Sequence, residues 1–359
     1  MLGLCPIEGA VFLCGDVLPV VLREHGFVRD PSLAAGLPGN RLVTAIVGTW
    51  PDSAWLVDSY GGVGNWGYTV YRWRETRWIA VLDVPPASVA LGVDVVAWHG
   101  AVFARVTDIF AEKSQSREPL MHRLEGTMVM PAFVSWPRSK KKDGCAAELI
   151  PEPALVESAD GRLYGLGSAC DSGARLLERW TWGVAKPEVI EVPEPSRDGG
   201  CRGSAALALA GGLAVLGSCG QQRPFVERFD GRTWTEVDMP QVEGQALDYA
   251  DDENAEWLVS GSAVVTDHNA LSRRPHGGTW QPIAIPPISL TEAQRTCFTG
   301  ATVGAASDAQ PPTPVAPIGV AIVGGDTWVE ATIGSTDGCG TAAMLLRTRP
   351  VDEPLSFWH

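Results

Sequence analysis

The sequence has no long apolar run. No segment reaches the roughly 18 consecutive apolar residues that a membrane-spanning helix needs. The N-terminus also lacks a basic segment that leads into an uninterrupted apolar one. We therefore expect no membrane span, and either no signal peptide or one that has already been removed.

The sequence is also poor in charge, and above all in positive charge. Charged residues make up 19% of the 359 residues, and 28 basic against 42 acidic groups leave a formal charge of −14. This balance repels a phosphate backbone, so we expect no nucleic-acid partner. The basic run at residues 138–142 is expected to be a solvated loop.

The common motifs of catalysis and metal binding are missing. The sequence holds no Walker A loop, no G-x-S-x-G, no H-E-x-x-H and no C-x-x-C, and its six histidines are scattered. We expect no cofactor and no metal. Two local clusters of polar residues can be interpreted either as functional sites or as turns. The acidic residues between 248 and 256 could bind Ca²⁺ or form a charged turn, and Asp267 with His268 could be an acid/base pair or part of a turn.

What the sequence does contain is a repeat of roughly 50 residues. Its first unit is an apolar strand that opens with a bulky residue, with copies at Phe12, Trp55, Leu163, Leu213, Trp257 and Trp328. Its second unit is a strand, a tight polar turn and a Trp-led strand that ends at a proline. The clearest copies of this second unit span residues 68–85, 225–240 and 271–286. Each repeat thus predicts four short antiparallel strands.

Small four-stranded sheets with two apolar faces are best covered by radial stacking, which also protects their edges. The sequence therefore predicts an all-β fold: a single β-propeller of seven four-stranded blades that spans residues 1–359. The expected blades lie approximately at residues 1–40, 41–90, 91–140, 141–195, 196–242, 243–290 and 291–359. The Pro-rich stretch at residues 311–317 accounts for the length of the last repeat.

The repeat resembles bacterial propellers of the kelch-like and BNR-like types. Gly-x-Thr-Trp, which is similar to the second half of an Asp-box, occurs at residues 231–234, 277–280 and 325–328. The first half is missing, because Phe229, Pro275 and Val323 stand where the motif has Asp. The resemblance implies architecture only, since such propellers include hydrolases, lyases, lectins and scaffolds.

The eight cysteines occupy ordered positions in the repeat. Cys145 and Cys170, like Cys201 and Cys219, precede the first strand and follow the second strand of a module. Neighbouring antiparallel strands bring such positions within disulfide reach. The four candidate pairs are Cys145 with Cys170, Cys201 with Cys219, Cys297 with Cys339, and Cys5 with Cys14. Disulfides favour a periplasmic or secreted location, and eight reduced thiols are the alternative.

The fourteen tryptophans divide into two groups. Those at repeat positions are expected to fill the core, at Trp55, Trp73, Trp78, Trp180, Trp234, Trp257, Trp280 and Trp328. The others are candidates for an exposed binding surface, at Trp50, Trp66, Trp98, Trp136, Trp182 and Trp358. Asn65 and Trp66 are the foremost candidates, because residues 61–67 form a Gly-rich segment that predicts a flexible loop; Trp98 and Trp182 follow.

These observations favour a non-catalytic propeller outside the cytoplasm that recognises a protein or a glycan through its blade loops. A glycan-processing hydrolase or lyase of BNR-like type is the first alternative, because such enzymes gather their residues from several blades around a central channel. A structural subunit of a larger assembly is the second alternative. No catalytic residue can be assigned from the sequence.

Overall fold

The described chain folds into β-strands with a single short 3₁₀ helix at Pro31–Ala34. A computed structural model describes residues 3–7, 10–14, 20–23, 26–38, 42–62, 65–85, 91–108, 120–125, 128–134, 155–158, 160–168, 175–184, 187–194, 201–209, 211–220, 223–252, 254–262, 269–285, 315–323, 326–333, 342–348 and 356–357. No helix in these ranges is long and apolar enough to cross a membrane.

The described strands form seven four-stranded sheets, each built from four consecutive antiparallel strands. Sheets 1 and 2 comprise β1 (Gly3–Ile7), β2 (Ala10–Cys14), β3 (Val20–Arg23), β4 (Gly26–Arg29), β5 (Leu42–Val47), β6 (Trp55–Gly62), β7 (Asn65–Arg74) and β8 (Arg77–Val84). Sheets 3 and 4 comprise β9 (Leu91–Trp98), β10 (Ala101–Asp108), β11 (Leu120–Glu125), β12 (Met128–Val134), β13 (Leu155–Glu157), β14 (Leu163–Ser168), β15 (Arg175–Trp180) and β16 (Glu188–Glu191).

The remaining three sheets follow the same order. Sheet 5 comprises β17 (Cys201–Leu209), β18 (Gly212–Cys219), β19 (Arg223–Phe229) and β20 (Trp234–Glu236). Sheet 6 comprises β21 (Gln245–Asp251), β22 (Ala255–Gly261), β23 (Ala270–Pro275) and β24 (Gln281–Ile283). Sheet 7 comprises β25 (Ala316–Val323), β26 (Asp326–Ile333), β27 (Ala342–Thr348) and β28 (Ser356–Phe357).

The sheets are arranged as a ring around their first strands. Each first strand contacts the first strand of the next sheet, in the order β1, β5, β9, β13, β17, β21 and β25, and β25 contacts β1. This is the radial stacking that the repeat predicts, and the all-β propeller class is confirmed.

The hydrophobic core is divided among the gaps between neighbouring sheets. The centre of strand β18, from Leu213 to Leu216, is continuously apolar rather than alternating between apolar and polar residues. Leu213 and Val215 pack toward sheet 4, whereas Ala214 and Leu216 pack toward sheet 6. Because both faces of the sheet are covered, every side chain of the strand centre is removed from water. The repeat tryptophans Trp55, Trp78, Trp180, Trp257 and Trp328 are buried, and Trp73, Trp234 and Trp280 are half-buried.

A disulfide joins the two inner strands of sheet 5. Cys201 and Cys219 face each other across β17 and β18, with a Cα separation of 4.0 Å. Cys5 is also disulfide-bonded, while its candidate partner Cys14 ends β2, where its backbone pairs with Gly3. The other four candidates, Cys145, Cys170, Cys297 and Cys339, lie outside the described residues.

Candidate functional site

A cavity of about 590 Å³ opens between sheets 2 and 3. The links between the first and second strands of both sheets border it, at residues 48–53 and 99–100. Its chemically distinctive lining residues are Trp55, Arg72, Trp98, His99, Arg123 and Glu157. Glu157 comes from sheet 4, so three consecutive sheets contribute to the cavity.

Trp55 and Arg72 belong to a pair that the repeat uses three times. Trp55 in β6 lies opposite Arg72 in β7, and the guanidinium carbon stands 5.3 Å from the centre of the indole. The same cross-strand pair recurs as Trp257 with Arg273 at 5.6 Å, and as Trp328 with Arg347 at 5.1 Å. The indole is buried in each case, so the pair is part of how the sheets stack.

Arg72 differs from a purely structural arginine in lining an open cavity. Its Nε atom is buried and has no hydrogen-bond acceptor, and no described carboxylate forms an ion pair with its guanidinium. Burial and the charge of Arg74 lower the pKa of Arg72. A half-buried cation without a carboxylate partner loses part of its hydration uncompensated, and an anion that entered the cavity would relieve that cost.

Trp98 lies at the opposite wall, where β9 turns into β10. His99 and Gly100 form the two-residue turn, with φ angles of 48° and 71°. Both central residues of a type I′ hairpin turn need such positive values. The turn aims the His99 ring at sheet 4, where His99 Nε2 and Trp98 Nε1 each lie 2.9 Å from the Gly161 carbonyl oxygen.

The expectation that Trp98 is exposed was wrong, because its side chain is only 1% exposed. It packs with Phe103, Leu163 and Trp180 in the gap between sheets 3 and 4. Trp50, another off-pattern tryptophan, is half-buried, with its ring centre 4.9 Å from that of Trp73. Both lie outside the repeat positions yet serve as packing residues.

Trp182 is exposed, as expected, and lies directly against Trp98. Its side chain extends from the link between β15 and β16, is 43% exposed, and has its ring centre 5.2 Å from that of Trp98 and 5.1 Å from that of His99. The Arg123 guanidinium lies 5.7 Å from its ring centre. Two of the four binding residues predicted from the sequence are therefore in contact. Trp98 is buried and supports Trp182, which presents an exposed ring face.

The cavity lining carries more positive than negative charge. Arg72 and Arg123 bring two positive charges, and Glu157 brings one negative charge. Burial raises the pKa of Glu157, while the charge and backbone N–H of His99 oppose that shift. A local excess of positive charge on a chain with a formal charge of −14 favours an anion at this place.

Asn65 and Trp66 belong to strand β7 rather than to a loop. Their backbones pair with Gly62 and Gly61 across the hairpin, so that the connecting segment is shorter than the predicted loop over residues 61–67. Their side chains, like Trp136 and Trp358, lie outside the described part of the chain.

The acidic stretch near residue 250 is occupied by internal partners. Asp251 forms an ion pair with Arg228 at 2.7 Å, and Glu256 binds Arg274 at 2.5 Å. Asp252 accepts the backbone N–H groups of Asn254 and Ala255. These three residues act as a charged turn and a salt-bridge network rather than as Ca²⁺ ligands. Asp267 and His268 lie outside the described residues.

Sequence reasoning missed the two arginines of the cavity. Arg72 follows Tyr71 and precedes Trp73 in a strand that also contains Arg74, so nothing local marks it. Its partnership with Trp55 was detectable, because Trp257 with Arg273 and Trp328 with Arg347 occupy the same positions of the repeat. Arg123 of sheet 3 belongs to the site because it contacts Trp182 of sheet 4. A local sequence pattern cannot predict a contact between two sheets.

Neither a protein-family model nor a curated protein matches the sequence. Among solved structures, the chain is similar to a mutant of puromycin hydrolase complexed with PGG, with a TM-score of 0.58 and 13% identity. That match covers 99% of this chain and 52% of the hydrolase. A structure from a study of two prolyl endopeptidases matches with a TM-score of 0.50 and 11% identity, over 88% of this chain and 42% of the other.

The chain spans about half the length of these solved structures. At this level of identity the likeness shows a shared β-propeller fold. It assigns no activity, because one fold carries many functions.

Proposed function

We propose that the chain is a binding propeller that recognises an anionic group, on a glycan or a protein, in the cavity between sheets 2 and 3. The observation that carries the proposal is the half-buried Arg72 guanidinium, which lines the cavity and has no carboxylate partner among the described residues. Guanidinium groups suit planar anions such as carboxylates, because they donate two parallel hydrogen bonds.

Trp182 supports the same proposal from the other side of the site. An exposed indole that is held by Trp98, His99 and Arg123 offers a flat apolar face to a sugar ring or to an aromatic side chain. Its packing partners reduce the rotamer freedom that would be lost on binding. The site thus combines a charged pocket with a rigid aromatic face.

The described lining offers no pair of carboxylates for glycoside hydrolysis, since Glu157 is its single acidic residue. We therefore favour binding over a hydrolase or lyase reaction. We further propose a periplasmic or secreted location, which the disulfide in sheet 5 supports. We also propose that the chain belongs to the kelch-like or BNR-like propellers. We propose that residues 1–359 form one domain.

Replacing Arg72 by alanine is expected to weaken binding of an acidic glycan or peptide at least about tenfold, the effect of losing one charged hydrogen-bond partner. A glycan array that includes uronic and sialic acids, together with an array of acidic peptides, would first identify the ligand. Titration calorimetry would then give the dissociation constants. Binding should also weaken as salt is raised, because the anion contact is partly screened.

Arg273→Ala is the matched control. Arg273 makes the same contact with Trp257 that Arg72 makes with Trp55, but it belongs to sheet 6 and does not line the cavity. Both variants lose one repeat arginine, so an effect on folding should be shared, whereas only R72A should lose the ligand. Equal affinity of the two variants would contradict the proposal, and turnover of a bound glycan would favour the hydrolase or lyase alternative.

Trp182→Ala is expected to reduce affinity for ring-bearing ligands by about 1–2 kcal/mol, in line with the loss of an aromatic contact. Stability should change little, because the side chain is 43% exposed. Calorimetry compared with thermal melting would separate the two effects. A drop in melting temperature with unchanged affinity would assign Trp182 to packing alone.

A further inference from the structure

A register shift recurs in the first two strands of four sheets. It lies between Val43 and Ala45 in sheet 2, and at the corresponding place in sheets 5, 6 and 7. The pairs that follow the shift occupy equivalent positions. These pairs are Ala45 with Val57, Ala205 with Leu216, Asp248 with Val259, and Gly319 with Glu330.

Two carboxylates stand at positions that are apolar in the sister sheets. Asp248 occupies the position of Ala45 and Ala205, and Glu330 occupies that of Val57, Leu216 and Val259. The three aliphatic side chains are 0–1% exposed. Because the fold is built elsewhere with small or aliphatic residues here, these acids are not required by the architecture.

The two carboxylates converge from neighbouring sheets on Gly319. A Cβ atom at Gly319 would lie 3.3 Å from Asp248 Oδ2 and 3.4 Å from Glu330 Oε2. Asp248 reaches across from sheet 6, where it accepts the backbone N–H of Val320 at 2.9 Å. It also accepts the N–H of Tyr249 at 2.8 Å, which fixes its orientation.

Glu330 has no hydrogen-bond partner in the described structure. Its side chain is 9% exposed, and its Oε1 atom is buried without a donor. No described lysine or arginine forms an ion pair with Glu330 or with Asp248. Burial and the neighbouring charge of Asp248 raise the pKa of Glu330 to about 8, and the charge of the N-terminal amino group opposes that shift. A buried carboxylate without a hydrogen-bond donor is costly, because it loses hydration with little compensation.

We propose that Asp248 and Glu330 form a calcium site that joins sheet 6 to sheet 7. Ca²⁺ accepts irregular sets of six to eight oxygen ligands, including carboxylates, backbone carbonyls and water. Two side chains supply only part of such a set. No described group of three or more His, Cys, Asp or Glu is placed to hold a metal. The proposal therefore requires backbone oxygens and water to supply the remaining ligands.

The test is calcium titration of the full chain after treatment with EDTA and buffer exchange. We expect one saturable site with a dissociation constant on the order of 10⁻⁴–10⁻³ M, the range of extracellular calcium modules. Glu330→Val and Glu330→Gln should each weaken it at least about tenfold. Mg²⁺ should bind more weakly, because it demands a regular octahedron and retains its water.

The variants are chosen so that folding and binding are distinguished. Glu330→Val introduces the residue that Val57 and Val259 place at the same position, and it should fold with an unchanged near-UV spectrum. Glu243→Gln removes an exposed acid elsewhere in the chain and should bind calcium like the parent. Calcium should raise the melting temperature of the parent and of E243Q but not of E330V.

Three results would overturn the calcium site. One is the absence of binding heat up to about 10 mM Ca²⁺, which is well above the expected range. Another is parental affinity in Glu330→Val, and the third is tighter binding of Mg²⁺ than of Ca²⁺. None of these results bears on the anion cavity, whose test uses Arg72.

Discussion

Replacing Arg175 by methionine is expected to lower the free energy of unfolding by about 3–5 kcal/mol at pH 8, the usual loss when a buried charge is left without its partner. Arg175 begins β15 and is 5% exposed, and its Nη2 lies 3.9 Å from Glu227 Oε2 in sheet 5. Its guanidinium also donates to the Pro193 carbonyl and covers the Phe225 ring at 4.5 Å. Glu227 is 3% exposed and would remain.

The free energy of unfolding that Arg175→Met loses should increase with pH. Burial raises the pKa of Glu227 to about 7 from its usual 4.5, against the opposing charge of Arg175. The folded chain therefore holds more proton at this carboxyl than the unfolded chain does, and the stability that it contributes falls as pH rises from 4.5 through 7. Without Arg175 the folded pKa rises further, so the fall continues to higher pH. At pH 5 the loss should shrink to about 1–2 kcal/mol, which reflects the other contacts of Arg175.

Urea denaturation of the parent and R175M at pH 5 and pH 8 would measure this difference. The double variant R175M/E227Q should recover much of the stability at pH 8, because no buried charge then remains. Arg162→Met provides an exposed comparison, since the Arg162 and Asp160 side chains are 40% and 31% exposed, and it should cost less than about 1 kcal/mol. A loss in R175M that is equal at both pH values would contradict the role assigned to Glu227.

The fold could be predicted because each blade repeats the same local signals. The strands at Leu213 and Trp257 have mainly apolar centres and are buried along almost their whole length, and the turns at Gly231 and Gly277 carry the positive φ angles that their glycines suggested. These signals report strand, turn and burial without knowledge of the neighbours. Repetition then supplied the long-range information, since similar modules that each leave two apolar faces uncovered can bury them by stacking on one another.

The candidate site was only partly predictable, because it lies between sheets. Trp182 was identified by its place outside the repeat, but Trp98 was assigned to the surface on the same ground and proved to be its buried support. Arg123 joins the site through a neighbouring sheet. Asp248 belongs to the acidic stretch that the sequence offered as possible calcium ligands, but Glu330 does not, and the pairing of the two appears only when the register shifts of the four sheets are aligned.

Removing the disulfide of sheet 5 is expected to lower the free energy of unfolding by about 3 kcal/mol. Cys201 and Cys219 are 18 residues apart, and a crosslink over such a loop restricts the unfolded chain by about that amount. Cys201→Ala/Cys219→Ala, with both thiols removed, avoids new pairings. Cys219 is 1% exposed, so part of the loss will reflect packing rather than the crosslink.

Reduction of the parent separates these two contributions. Dithiothreitol breaks the bond but keeps both sulfur atoms. It also reduces the disulfide of Cys5, so the loss that belongs to sheet 5 is the extra loss on reduction that the parent shows over the double variant, and it should account for most of the loss in that variant. The double variant should then respond less to dithiothreitol than the parent does. If reduction left the parent's urea midpoint unchanged, the predicted stabilisation by the crosslink would be wrong.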